Sequence, residues 1–339
     1  METTIWLVLG LLLVTVYTFW PWWGFIRPSK SLPAVPQDLT QLASWINTRE
    51  SHVPFLKADN EARILFAEPG QKKKTALSVV YLHGFSASQG EGAPLHEAFA
   101  KKFGFNLYLH RLPHHGQDEP NALLHLKGKE LLESAQEALA IGQQLGEKVI
   151  LMATSTGASL ALYLAAHFPE KIEKVMCYSP NIRLRSPLAF LLARPGGLWI
   201  LRAMYKGKFR VSDKKAPGAQ YWNVSYRLEA VVSLQKFLER WMRVSLFRKV
   251  KVPVWIAYYY KNDAEQDETV SVKNIHWMYR HLGSQEKWME NFPEAGDHAL
   301  LSPYWSASWE EVQEKSLAFG QQYTSSIPAS SPSEPRISD

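Results

Sequence analysis

The chain has 339 residues, 46% of them hydrophobic, and a formal net charge of +6. That apolar content suits one large domain with a sizeable core, and so mild a positive charge does not point to nucleic acid. A single cysteine, Cys177, excludes an internal disulfide framework.

Residues 5–26, IWLVLGLLLVTVYTFWPWWGFI, carry no charge and are long enough to span a bilayer. Trp20, Trp22 and Trp23 cluster at the far end, as an interfacial belt does. The start lacks the basic residues, and the end the small residues, of a cleavable signal peptide. The segment therefore reads as an uncleaved N-terminal transmembrane anchor over residues 1–27. Arg27, Lys30 and Arg49 come after it and no cation precedes it, which predicts a cytoplasmic main domain by the positive-inside rule.

Residues 28–36, PSKSLPAVP, form an extended proline-rich linker. A short amphipathic helix over 37–51 completes a 28–60 leader, and 63–66 is a candidate edge strand. Residues 76–82, ALSVVYL, read as a buried strand ending in His83-Gly84-Phe85. The adjoining loop 87–94 carries glycines and reads as flexible, shaping a site entrance. A strand over 105–110 leads to Arg111-Leu112-Pro113-His114-His115-Gly116. His110, His114 and His115 have no carboxylate or cysteine at a ligand spacing, so no metal site is expected. Apolar positions Leu131, Leu132, Ala135, Leu139 and Ile141 recur near a 3.6-residue period, which predicts a helix over 129–145.

The centre of the chain is residues 148–168, KVILMATSTGASLALYLAAHF. An apolar strand over 149–152 meets a turn of small residues around Ser155, and an Ala- and Leu-rich helix begins at once. Strand, tight turn and helix describe a nucleophile elbow, in which the serine is lifted off the sheet at a helix N-terminus. The usual pattern is G-x-S-x-G; here Ala153 replaces the first glycine and Gly157 is kept. The bland alternative is an ordinary strand-to-helix turn with Ser155 as an N-cap.

A strand over 175–179 holds Cys177 as core filler. The stretch 182–247 is rich in arginine and aromatics, with an amphipathic piece near 228–241 and a basic piece at 206–215. It reads as a mostly helical cap inserted between core strands. A strand over 251–260 precedes two candidate acids, Asp263 and Asp267. A helix spans 276–281, and a last strand, Lys287–Asn291, runs into Gly296-Asp297-His298. A helix over 309–319 closes the core, and the Ser/Pro-rich tail within 323–339 reads as disordered. The core is thus split into 61–181 and 248–322.

The motifs HGF at 83–85, ATSTG at 153–157, QDETV at 266–270 and GDH at 296–298 resemble those of the α/β-hydrolase superfamily. Within it the chain looks like the esterase, monoacylglycerol-lipase and serine-aminopeptidase-like group. The resemblance implies a mostly parallel sheet flanked by helices, with a helical cap. It implies a triad of Ser155, Asp267 and His298, with Asp267 favoured over Asp263 because Val270 completes a D-x-x-V pattern. The Phe85 and Thr156 amides would form the oxyanion hole. No metal or cofactor is needed for that chemistry. The expected activity is a membrane-tethered carboxylic-ester hydrolase acting on small apolar or lipid-like esters. An amidase or aminopeptidase would want an acidic cap where this one is basic; a non-catalytic scaffold would not need an intact triad.

Overall fold

The computed structural model describes Trp6, Thr15 and residues 29–212 and 217–324. Nine strands are present among them. Seven form one sheet in the order β1-β3-β2-β4-β5-β8-β9: Arg63–Leu65, Asn106–Leu109, Thr75–Leu82, Gly146–Thr154, Ile172–Tyr178, Val254–Tyr258 and Lys287–Asn291. Only the β1–β3 pair is antiparallel. The mostly parallel sheet implied by the motifs is therefore present.

The central strands read as continuous apolar runs because both their faces are covered. In β4, Val149, Leu151 and Ala153 enter the larger core cluster, while Ile150 and Met152 enter the smaller one. The larger cluster is closed by helices α1 (Leu39–Ser51), α3 (Gly128–Leu145) and α4 (Thr156–His167). Helices α2 (Leu95–Phe103) and α9 (Trp309–Thr324) close the smaller one.

Between β5 and β8 the chain leaves the sheet. It forms α5 (Gly197–Met204), a two-stranded antiparallel sheet of β6 (Phe209–Val211) and β7 (Ser225–Arg227), and then α6 (Leu228–Trp241) and α7 (Val244–Phe247). This stretch is more mixed than the helical cap expected, because β6 and β7 have three residues each and no readable alternation. Helix α8 (Val272–His281) lies between β8 and β9. The loop 87–94, expected to be flexible, is instead a 3₁₀ turn whose residues Gln89–Gly92 are all buried.

The membrane placement expected from residues 5–26 is corrected. Among the described residues no helix is long and apolar enough to cross a membrane. The strongly apolar α4 has 12 residues and is buried against the sheet, where a span needs about 20 facing lipid. Residues 5–26, apart from Trp6 and Thr15, and the tail from 325 onward lie outside the described residues.

Candidate active site

Ser155 stands between β4 and α4 with φ +53° and ψ −114°, a conformation that non-glycine residues rarely adopt. Its side chain makes no capping bond to the helix, so the N-cap alternative does not describe it. The neighbours in the turn explain the motif. A methyl group on Gly157 would lie 2.0 Å from the Leu82 carbonyl oxygen, so only glycine lets α4 start this close to β2. The methyl of Ala153 is accepted because it points into the larger core cluster. The Ser155 amide donates to Tyr178 O and its carbonyl accepts the Asn181 amide, at 2.9 and 3.1 Å.

Asp267 lies just past β8 and is 0% exposed. Its Oδ1 accepts the Thr269 and Val270 amides at 2.8 and 2.9 Å. Its Oδ2 lies 2.6 Å from His298 Nδ1. The acid loop is fixed from outside by Arg185, whose guanidinium donates to the Gln266 and Asp267 carbonyls, and by a bridge between Leu184 and Val270. Asp263 lies at the surface, accepting from Tyr260 Oη at 3.0 Å. Of the two candidate acids, then, the structure brings Asp267 to the histidine. Nothing in the sequence singles out Arg185; its role depends on contacts some eighty positions away.

His298 lies beyond β9, in a loop where Asp297 caps the Ala299 amide at 2.7 Å. Burial disfavours the imidazolium, but the carboxylate of Asp267, joined by Asp297 and Glu91, outweighs it and raises the His298 pKa above its ordinary value. Ser155, His298, Gly84 and Phe85 line one cavity of about 240 Å³. Leu184, Val231 and Leu234 supply apolar wall, and Asn181, Ser212 and Asn223 polar wall. Thr156, the other expected oxyanion donor, is buried at the first position of α4. Phe85 packs edge-on against Tyr226 and His115.

A larger cavity, about 560 Å³, lies between residues 29–33, α1 and α3. There His110 Nε2 is 2.6 Å from Ser134 Oγ, but its Nδ1 faces Tyr108 Oη rather than a carboxylate. Burial pushes that histidine down to about 3. The lowered pKa makes it a poor proton acceptor, and with no carboxylate on Nδ1 this second Ser–His pair lacks the support that His298 receives from Asp267. His110, His114 and His115 form no metal cluster; none is found among the described residues.

Residues 73–302 match the family described as serine aminopeptidase, S33. A thermostable monoacylglycerol lipase of Bacillus sp. (strain H-257) is 31% identical over 107 residues, covering 31% of this chain and 41% of that protein. The match thus spans under half the length of that relative. Among solved structures, one reported for the metagenome-derived lipolytic enzymes LipS and LipT superimposes with a TM-score of 0.65 at 20% identity, over 79% of this chain and 100% of the other. The Paleococcus ferrophilus monoacylglycerol lipase gives 0.57 at 19% identity, over 77% and 99%. These likenesses establish the α/β-hydrolase fold.

Proposed function

The chain belongs to the serine aminopeptidase S33 family of hydrolases, and from that footing we propose that it is a serine hydrolase of carboxylic esters, with Ser155, His298 and Asp267 as its triad. One observation carries the reading. A buried carboxylate holds the Nδ1 side of a histidine at 2.6 Å, in the wall of the cavity that a strained serine enters.

In this reading Asp267 fixes the tautomer with a proton on Nδ1, which leaves Nε2 to act as base. His298 takes the Ser155 hydroxyl proton as Oγ bonds to the ester carbonyl carbon. The oxyanion is held by the Phe85 and Thr156 amides. The C–O bond to the alcohol then breaks, and His298 returns the proton to the leaving oxygen. Water repeats the sequence on the acyl-enzyme, releasing the acid. The mixed cavity wall suits an ester with an apolar acyl part and a polar alcohol, such as a monoacylglycerol. Residues 182–247 act as the cap that completes this wall.

The test is labelling of the full chain with a fluorophosphonate probe, run beside Ser155→Ala and His298→Ala. Labelling of the wild type alone is the expected result, with turnover of esters graded in acyl length measured next. A folded wild type that stays unlabelled would defeat the proposal.

A further inference from the structure

Glu91 is 3% exposed, yet it lines the cavity that holds Ser155 and His298. Sequence alone hides it, because a charged residue in a glycine-bearing loop reads as solvated. The flanking glycines explain its burial. A methyl on Gly90 would lie 2.2 Å from the Tyr221 ring, and one on Gly92 would lie 2.4 Å from the Tyr81 ring. Only glycine lets the turn press between these rings. Gln89 anchors the same turn, donating from Nε2 to Asp59 O at 2.8 Å.

A carboxylate in such a place needs hydrogen-bond donors. Glu91 Oε2 accepts the Gly84 amide at 2.7 Å and the Tyr81 hydroxyl at 3.4 Å. Gly84 directly precedes Phe85. A methyl on Gly84 would lie 2.9 Å from Glu91 Oε1 and 3.2 Å from Ser155 Cβ, so the carboxylate and the serine crowd the same face of that residue. On the other side, the Asn223 amide donates to Ser86 O at 2.6 Å.

We infer that Glu91 is a positioning residue: its carboxylate clamps the Gly84 amide so that the Phe85 amide stays turned into the cavity, and it places a negative charge in the wall that His298 shares. The inference rests on the serine-hydrolase reading above. The groups that bear on His298 can be named. Asp267 touches it, Asp297 adjoins it, and Glu91 acts from the turn after β2; all three favour its charged form. Arg210 and Glu268 also line the cavity. His96, packed on the Glu91 turn, is pushed down to about 4 by burial and does not titrate alongside His298.

The experiment uses the full chain and p-nitrophenyl butyrate, with wild type, Ser155→Ala, Glu91→Gln and Glu91→Leu compared across pH 5–9. Glutamine keeps an oxygen for the Gly84 amide but loses the charge. Its kcat should fall less than that of the leucine variant, while the acid limb of kcat/KM moves to lower pH. Leucine loses the acceptor as well. Its kcat should fall at least about tenfold with KM nearly unchanged, below the roughly 10²–10³-fold cost of deleting an oxyanion donor outright. A folded Glu91→Leu protein with wild-type kcat overturns the inference, as does a Glu91→Gln acid limb that does not move. If the leucine variant does not fold, Glu91→Ala, which also removes the acceptor for the Gly84 amide, takes its place with the same expected loss of kcat and the same refuting result. Absence of turnover in the wild type, or turnover that survives Ser155→Ala, defeats the hydrolase reading instead.

Discussion

Replacing Asp267 with asparagine exchanges one carboxylate oxygen for an NH₂ group in a side chain with no solvent to turn toward. Oδ1 must remain an acceptor, because the Thr269 and Val270 amides both donate to it. The NH₂ therefore faces His298 Nδ1. That nitrogen now has to accept, so the ring proton moves to Nε2, where the base should be vacant. The expected loss is about four powers of ten in kcat, or about 5.4 kcal/mol at about 1.36 kcal/mol per decade. Stability should change little, since the backbone amides keep their acceptor. Asp267→Ala, by contrast, strands the buried Val270 amide and should cost about 1–3 kcal/mol as well. Ester turnover with active-site titration measures the first effect, and urea unfolding the second. An Asp267→Asn protein within tenfold of wild type would refute the tautomer argument. Loss of activity in Asp263→Asn instead would move the acid to the surface position.

Three further outcomes are expected from the geometry. Ser155→Gly removes a side chain from a φ of +53°; it should abolish turnover while raising unfolding stability by about 1 kcal/mol, and equal or lower stability in urea would count against stored strain at the elbow. Gly157→Ala drives a methyl to 2.0 Å from the Leu82 carbonyl; a loss of about 3 kcal/mol or more, or failure to fold, is expected, and a wild-type melting temperature contradicts it. His83, His96, His110 and His115 are buried and held neutral, with burial pushing the first three to about 3, about 4 and about 3 and the last well below its usual value. As pH falls below about 6.5 the unfolded chain takes up protons that the native state refuses, so stability should drop by about 1.4 kcal/mol per pH unit for each. The raised pKa of His298 acts the other way: its contribution is complete below about 6.5 and is lost as pH climbs through the folded value. A melting temperature flat between pH 6.5 and 4.5 would exclude the burial effect.

Much of the sheet is legible in the sequence because its central strands are covered on both faces and so carry apolar runs, as over residues 79–82 of β2 and 149–153 of β4. The last strand, Lys287–Asn291, lies at the sheet edge with mixed burial. It is recognised instead by the glycine turn and histidine a few residues beyond it. The D-x-x-V spacing has a local physical basis: the acid accepts the amide of the valine three residues on. The features that stay hidden are non-local. The three-residue strands β6 and β7 are defined only by each other. Glu91 is defined by two tyrosine rings and an amide seven residues back. Residues 5–26 have the hydropathy of a span, yet no described helix has the length and apolarity to be one.

The strand order has a kinetic consequence. β5 pairs directly with β8, while the chain between them folds outside the sheet. Ser155 stands on the near side of that junction; Asp267 and His298 stand beyond it. Closing so long a loop costs entropy before any contact across it is rewarded. On refolding, the serine turn can form early, together with β2, β4 and α4, while the acid and the histidine must wait for β8 and β9 to dock. Recovery of esterase activity should then trail recovery of helical circular dichroism, and a chain halted before β8 should be largely structured and wholly inert.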